Sequence, residues 1–345
     1  MADSNVMHNN NTNPLITLIR FFQRGSIISS MFGVLVVLFI AASLVVPRFF
    51  NINTLSNLVT QQAELIILSI TVTFLLISGN FDMSVGGIVS FAAVLSAYFC
   101  QSSTGGGLEL SRGLGLPYEL SLVMTLVCCL GIGAINGIFI TKLKVPSIII
   151  TLGTMSLSRG IALIITEGSQ RANGLPYVFK QLGEFHLVGA VNTSIMVMVV
   201  FIIIAFIVEQ KTVFGKRTFY IGANPVAAKL SGIKVEKHIT ILYLISSLLA
   251  GTVGIIMGSI HNSGISSIGE GFEFDALVIT LLGGTSILGG SGSVLCAVIG
   301  AFILGIMSSS LNMLGLSPDI QTIIKGVITL IAILLQRLAL DKSKV

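Results

Sequence analysis

Long apolar stretches, separated by short polar or glycine-rich segments, run through almost the whole chain. A helix that crosses a membrane needs about 20 mostly apolar residues, because the hydrocarbon core of a bilayer is about 30 Å thick. The stretches are continuous and do not alternate with a period of two, so they predict helices rather than the strands of a barrel. Ten of them meet or nearly meet the required length: 26–46, 63–79, 83–100, 119–141, 146–166, 191–209, 239–260, 275–290, 293–313 and 320–338.

This pattern predicts an all-α polytopic membrane protein of about ten transmembrane helices, with both termini in the cytoplasm. Three of the stretches (63–79, 83–100 and 275–290) are short and interrupted by glycine, so we expect some of the helices to be short or broken. The predicted parts are a cytoplasmic N-terminal tail at 1–25, a transmembrane domain at 26–338 with a cytoplasmic loop at 210–238, and a cytoplasmic C-terminal tail at 339–345.

Composition and charge support a lipid environment. Of the 345 residues, 53% are hydrophobic and only 10% are charged, whereas about a quarter of the residues in soluble globular proteins are charged. Most Lys and Arg residues fall in segments that a ten-span topology with a cytoplasmic N-terminus places inside, as the positive-inside rule requires. An odd number of spans would put Lys342 and Lys344 outside. The basic residues form no stripe along one face, which argues against a nucleic-acid partner.

The sequence also lacks the usual signs of an enzyme or a metal protein. Its four cysteines lie in apolar stretches without a Cys-x-x-Cys spacing, so we interpret them as small buried hydrophobes. No Gly-x4-Gly-Lys-[Ser/Thr] motif occurs, so the chain has no P-loop to bind ATP. We therefore expect neither a catalytic residue, nor a metal site, nor a cofactor on this chain.

The cytoplasmic loop contains the signals of a short helix. Asn224 is suited to cap the free backbone amides, Pro225 suits the first helical position, and Gly232 suits the left-handed residue that ends a helix. A helix of about two turns is too short to be stable alone. It either lies on the lipid headgroups or docks into a groove on another protein, with its small residues inviting close contact. The candidate docking residues are Asn224, Pro225, Ala227, Ala228, Lys229 and Gly232.

Four stretches carry the motifs of a known family. They are 79–86 (Gly-Asn-Phe-Asp-Met-Ser-Val-Gly), 136–160 (from Asn-Gly to Arg-Gly), 212–235 and 271–292. In this order they resemble the ribose-type ABC importer permeases, the inner-membrane subunits for monosaccharides. The resemblance covers roughly residues 30 to 338. Asn80 departs from it, since many members have Gly or Arg there, and the N-terminal tail is longer and rich in Asn.

The resemblance implies a transport subunit in the cytoplasmic (inner) membrane of a bacterium. It implies partners as well: a second copy of the chain or a close homologue, a cytoplasmic ABC ATPase that holds ATP and Mg and clamps the short helix, an extracytoplasmic sugar-binding protein, and membrane lipid. The substrate would be a monosaccharide of the ribose, pentose or hexose class. A nucleoside or a signalling sugar remains an alternative within the same fold.

Polar residues inside the apolar stretches are candidates for the pathway. Asp82 and Ser84 lie in a glycine-rich break, where a carboxylate either caps the following helix or contacts substrate. Thr151, Thr154 and Ser158 share one helical face, which suits either sugar contacts or hydrogen bonds between helices. The pathway candidates are Asn80, Asp82, Ser84, Asn136, Thr151, Thr154, Ser158 and Arg159, and the candidates for docking a partner outside are Glu270, Glu273 and Asp275.

Two further expectations concern single charges. Arg159 lies within a predicted span and is expected to pair with a carboxylate, for which Asp82 and Glu167 are the candidates, or with carbonyl groups at a helix end. Asp82 is also the one plausible ion site for a different class of protein, a secondary transporter coupled to H⁺ or Na⁺. That alternative leaves the cytoplasmic helix unexplained.

Overall fold

The computed structural model describes residues 27–102, 113–188, 191–328 and 330. The predicted tails at 1–25 and 339–345 lie outside the described residues, as do residues 329 and 331–338 of the last predicted span. The helices are α1 (Ile27–Val45), α2 (Ile52–Ile77), α3 (Val85–Cys100), α4 (Tyr118–Lys142), α5 (Ser147–Thr166), α6 (Tyr177–Glu184), α7 (Thr193–Lys211), α8 (Val213–Ala223), α9 (Pro225–Leu230), α10 (Val235–Ile260), α11 (Phe272–Leu282) and α12 (Val294–Met313). Residues 318–328 are also helical. Two short strands, β1 (His186–Val188) and β2 (Val191–Asn192), form an antiparallel pair.

The predicted helical class is confirmed. Six helices of the described residues are long and apolar enough to cross a membrane, namely α2, α4, α5, α7, α10 and α12. The apolar helical stretches Met31–Val45 and Val85–Cys100 are shorter. The number of ten spans stays a prediction.

The glycine-interrupted stretch 275–290 is broken in the structure, as expected. The helix α11 ends at Leu282, and residues 283–293 follow in a non-helical segment. Gly284, Gly289 and Gly290 have φ angles of +77°, +84° and +77°. Such angles are easily reached only by glycine and do not occur inside a right-handed helix.

The helix α2 begins eleven residues before the predicted span, at Ile52. The side chain of Asn51 accepts a hydrogen bond from the amide of Asn53 at 3.0 Å, which caps its first turn. The first turns of α2 carry Asn, Thr and Gln residues, so the length of the apolar stretch underestimates the length of the helix.

The core is built around α2 and α3. All residues of α3 except Tyr98 are buried, and α3 contacts α4, α5, α10 and α11. The helix α2 contacts α7, α8, α10, α11 and α12. Large apolar side chains point outward from the surrounding helices, including Val127, Ile164 and Ile203. An apolar exterior around a packed interior is the arrangement that a lipid solvent favours.

The helices α4 and α10 approach each other closely at Gly133. A Cβ atom at this position would overlap the Ser247 hydroxyl and lie 2.7 Å from the Tyr243 carbonyl oxygen. Gly131, on the same helix, has no such neighbour within 4 Å. Close approach at small residues is a general means of packing helices in lipid.

We expect Gly133→Ala to lower the stability of the protein in detergent by about 1–3 kcal/mol, because the added methyl group overpacks the α4–α10 contact. Gly131→Ala is the matched control. It should leave stability unchanged or raise it by up to about 1 kcal/mol, since Ala is the better helix former. Thermal unfolding of the two variants in the same detergent distinguishes them, and equal losses would contradict the assigned packing.

Candidate functional site

A chain of hydrogen-bonded polar side chains crosses the interior at the break between α2 and α3. Asp82 Oδ1 accepts hydrogen bonds from the Ser84 amide at 2.8 Å and the Ser84 hydroxyl at 2.5 Å. Asp82 Oδ2 accepts one from the Ser246 hydroxyl at 2.7 Å. Asn136 Nδ2 donates to Ser84 Oγ at 3.0 Å, and the Thr154 hydroxyl donates to Asn136 Oδ1 at 2.8 Å. We call these five residues the polar chain. It joins α10, the break, α4 and α5.

Every member of the polar chain is buried, and Asp82 is only 3% exposed. A carboxylate in such a place is costly unless its oxygens have hydrogen-bond partners. Asp82 meets this requirement with three donors, one of which is the amide just before the first residue of α3. Asp82 thus holds Ser84, the N-cap residue of α3, through its amide and its hydroxyl. A contact between Asp82 and a substrate stays a prediction.

The remaining pathway candidates on α5 and in the break form hydrogen bonds to residues that are close in sequence. The Thr151 hydroxyl donates to the Ser147 carbonyl at 2.8 Å, and the Ser158 hydroxyl donates to the Thr154 carbonyl at 2.7 Å. Asn80 Nδ2 donates to Ser78 Oγ at 3.1 Å. These three residues therefore do not join the polar chain, although Thr151 and Ser158 lie on the predicted face with Thr154 and are buried with it.

Sequence reasoning missed two residues of α10. Ser246 supplies a donor to Asp82, and the Tyr243 hydroxyl donates to the Phe81 carbonyl oxygen at 2.7 Å. Both lie in an apolar stretch and are buried. The sequence shows that these polar side chains lie in an apolar stretch. It does not show which part of the bundle they face.

Arg159 pairs with Glu273, and not with Asp82 or Glu167. Its Nη2 atom lies 3.2 Å from Glu273 Oε1 and 3.1 Å from Oε2. The carboxylate lies against Gly86 of α3, where a Cβ atom would overlap it. The sequence does not identify this partner, because Glu273 lies 114 residues from Arg159 and reaches α5 only through the packing of α11 on α3.

This ion pair also corrects the role of Glu273. Its side chain is 2% exposed, so it is not available for docking a partner outside. Asp275 Oδ2 lies 2.9 Å from Lys325 Nζ and is partly buried. Glu270 alone of the three docking candidates is exposed.

The local sequence signals of the short helix α9 are confirmed. Asn224 Oδ1 accepts a hydrogen bond from the Ala227 amide at 3.0 Å, Pro225 is the first residue of α9, and Gly232 has a φ angle of +82°. Lys229 Nζ lies 3.1 Å from Glu236 Oε1 at the start of α10.

Five of the six predicted docking residues are exposed, and Ala228 is the exception. Ala228 is buried at 4% exposure, because this side of the helix packs back onto the chain. The outward side carries Val226 and Leu230, which are 68% and 85% exposed. These two residues are four apart and therefore neighbours on one helical face. We call them the apolar ridge.

The α8–α9 unit is held against both breaks in the bundle. A Cβ atom at Gly222 of α8 would overlap the Ile77 carbonyl oxygen at the end of α2. The same oxygen accepts a hydrogen bond from the Gly290 amide at 2.8 Å. Glu209 Oε2 accepts one from the Val294 amide at 2.6 Å, at the start of α12. A movement of α8 would therefore reach the end of α2 and the segment 283–293 directly.

Among the described residues, no group of three His, Cys, Asp or Glu side chains could hold a metal ion. The four cysteines are free thiols, three of them buried.

Comparison with known proteins identifies related transport proteins. A family model described as branched-chain amino acid transport system / permease component matches residues 54–333. The ribose import permease protein RbsC of Bacillus subtilis (strain 168) is 34% identical over 304 residues, or 88% of this chain and 90% of that protein. RbsC of Escherichia coli (strain K12) is 31% identical over 319 residues, or 91% and 95%. The galactose/methyl galactoside import permease protein MglC of the same strain is 32% identical over 322 residues, or 90% and 95%. No solved structure gives a significant match.

We expect Arg159→Met to destabilise the protein by about 3–5 kcal/mol, because it leaves the buried Glu273 carboxylate without its partner. The double variant Arg159→Met/Glu273→Gln should recover a large part of that loss. The control is the pair Lys180–Glu184, whose side chains are 43% and 51% exposed. Lys180→Met should cost less than about 1 kcal/mol. Thermal unfolding in detergent measures all three, and a double variant no more stable than Arg159→Met would contradict the pairing.

Proposed function

The chain belongs to this family of transport-system permease components, and we propose that it is the membrane subunit of an ATP-binding cassette importer for a monosaccharide. The observation that carries the substrate class is identity of 31–34% to ribose and galactose import permeases over about nine-tenths of the chain. The family description names branched-chain amino acids. RbsC and MglC are sugar permeases, so we assign a sugar as the substrate of this chain.

The chain is a multi-pass protein of the cytoplasmic membrane, as its six long apolar helices and its family indicate. For the finer topology we propose ten membrane segments with both termini in the cytoplasm. In this arrangement α11 and the segment 283–293 together make one segment, and the helical residues 318–328 begin the last. The charge distribution supports this, because Lys142, Lys144 and the basic residues of the loop 210–238 then share the cytoplasmic side.

The apolar ridge on α9 is the proposed contact for a cytoplasmic ATPase. Two large apolar side chains exposed to water at the tip of a loop are unfavourable unless a partner covers them. The underlying unit supports a mechanical role, since Gly222 lies against the end of α2 and near Gly290. ATP binding and hydrolysis would belong to the partner, which would hold the nucleotide and Mg.

The pathway itself would bind the sugar weakly. In the described conformation the five side chains of the polar chain are buried and form hydrogen bonds with one another. Substrate entry therefore requires helices to move apart. The break residues and the hydroxyl face of α5 are the proposed lining, shared with a second copy of the chain or a close homologue. An extracytoplasmic binding protein would deliver the sugar. A nucleoside or a signalling sugar is the alternative substrate for a permease of the same design.

An ion-coupled transporter is the weaker alternative. It needs Asp82 as an ion site, but both oxygens of this carboxylate already accept hydrogen bonds from Ser84 and Ser246. It also gives no role to the apolar ridge.

Reconstitution tests the proposed transport directly. Proteoliposomes containing the chain, its ATPase and its sugar-binding protein should take up a radiolabelled monosaccharide only when ATP is supplied on the ATPase side. Asp82→Asn should reduce uptake or assembly without making uptake dependent on an ion gradient. Uptake by the chain alone, driven by a proton or sodium gradient, would overturn the proposal.

The docking contact is tested by single substitutions. Leu230→Asp should lower co-purification of the ATPase at least tenfold, because a carboxylate replaces an apolar contact that the partner must desolvate. Leu143→Asp is the control, since Leu143 is also exposed and lies in another connection on the proposed cytoplasmic side. Equal ATPase recovery with Leu230→Asp and the wild type would remove the ridge from the interface.

A further inference from the structure

A basic cavity lies beside α9, where α8 meets the start of α10. It has a volume of about 410 Å³. Its lining includes three cations, Arg217, Lys234 and Lys237, all of them exposed. The residues lining it are Phe214, Arg217, Gly232, Ile233, Lys234, Lys237, His238 and Ile241.

The positive charge of this cavity is not neutralised by the nearest acid. Glu236 pairs with Lys229 at 3.1 Å. Across the part of the chain that the structure describes, no Asp or Glu side chain lies within ion-pair distance of Arg217, Lys234 or Lys237. Three unpaired cations around one concavity form a site for an anion.

The back wall of the cavity is fixed in place. The ring of His238 stacks on that of Phe214 with 4.2 Å between ring centroids. His238 Nε2 lies 2.8 Å from the Thr218 hydroxyl. His238 is buried. The shape of the cavity is therefore set by packing within the chain.

A separate apolar crevice lies on the other side of Phe214. It has a volume of about 250 Å³ and lies between α2, α7 and α10. Phe214 lines both spaces, and Ile241 of the cavity is followed directly by Leu242 of the crevice. From Leu242 to Leu249 the crevice follows α10 for about 10 Å. The exposed side chains of Ile204 and Ile245 lie at its rim.

We propose that the cavity and the crevice together form a binding site for one anionic phospholipid. The phosphate of the headgroup lies among Arg217, Lys234 and Lys237, and one acyl chain lies in the crevice beyond Phe214. An anion with an attached hydrocarbon chain is the chemistry that matches both halves. The site begins where a membrane-spanning helix begins, which is the depth of the lipid headgroups. Bound lipid would brace the base of the α8–α9 unit.

Binding is measured on the purified full chain in a neutral detergent, by titrating phosphatidylglycerol or phosphatidylcholine with identical acyl chains and counting bound lipid by native mass spectrometry. We expect selective binding of phosphatidylglycerol. Lys234→Gln/Lys237→Gln should weaken it roughly thirtyfold, because each cation near the surface contributes about a factor of five. Lys142→Gln/Lys144→Gln removes the same charge elsewhere on the proposed cytoplasmic side and should leave binding unchanged. Ile245→Trp should weaken binding by narrowing the crevice.

Several results would overturn the proposal. Equal loss in the two lysine double variants would indicate general electrostatic attraction, and equal binding of the two lipids would exclude a headgroup site. Displacement of phosphatidylglycerol by inorganic phosphate or glycerol phosphate would show an anion site without a role for the crevice. If Lys234→Gln/Lys237→Gln retained lipid but lost the ATPase, the cavity would face that partner. If dimers of the chain excluded the lipid that monomers bind, the crevice would be a contact between copies. None of these measurements depends on transport.

Discussion

Hydrocarbon offers no hydrogen-bond partner, so a chain that leaves its helix inside a membrane must satisfy its own polar groups. The break between α2 and α3 meets this condition through Asp82, which accepts three hydrogen bonds from Ser84 and Ser246. The neighbouring backbone is held by side chains as well, since the Phe81 carbonyl accepts from Tyr243 and the Phe81 amide donates to Ser147 Oγ at 3.1 Å. Helices α2, α3, α4, α5 and α10 all depend on this one junction for their relative positions.

The second break, at 283–293, is tied to the first. The Gly290 amide donates to the Ile77 carbonyl, and Gly222 of α8 lies close to both. The α8–α9 unit that carries the apolar ridge therefore packs against both of these non-helical segments. Non-helical backbone deforms by rotation about a few bonds, whereas a continuous helix moves as a whole. A movement of this unit would therefore be passed to segments that deform easily.

The charges of α11 give a different kind of constraint. Its first turn is held by Glu273 to Arg159 on α5 and by Asp275 to Lys325 in the helical residues 318–328. Glu273 is buried and depends on Arg159 for its stability, since an isolated charge in lipid is strongly disfavoured, whereas Asp275 and Lys325 are partly exposed. The opposite end of α11 is held by close packing on α12, since a Cβ atom at Gly283 would lie 2.7 Å from the Cys296 carbonyl oxygen and one at Gly300 would overlap the Ile279 carbonyl oxygen. The helix is thus held by charge pairs at one end and by close backbone packing at the other.

What the sequence determined by itself was local or averaged over long stretches. The apolar runs predicted the helical class because a membrane helix must be apolar over its own length, and Asn224, Pro225 and Gly232 predicted α9 because capping involves residues within one turn. The partner of Arg159, the burial of Ala228, the end of α11 at Leu282 and the donors from α10 to the break were decided only in the tertiary structure. Each depends on which distant helix packs alongside, and that is set by the shapes of both surfaces and by close approaches at residues such as Gly86 and Gly133. The residue pattern of one segment carries no information about the surface of the segment that packs against it.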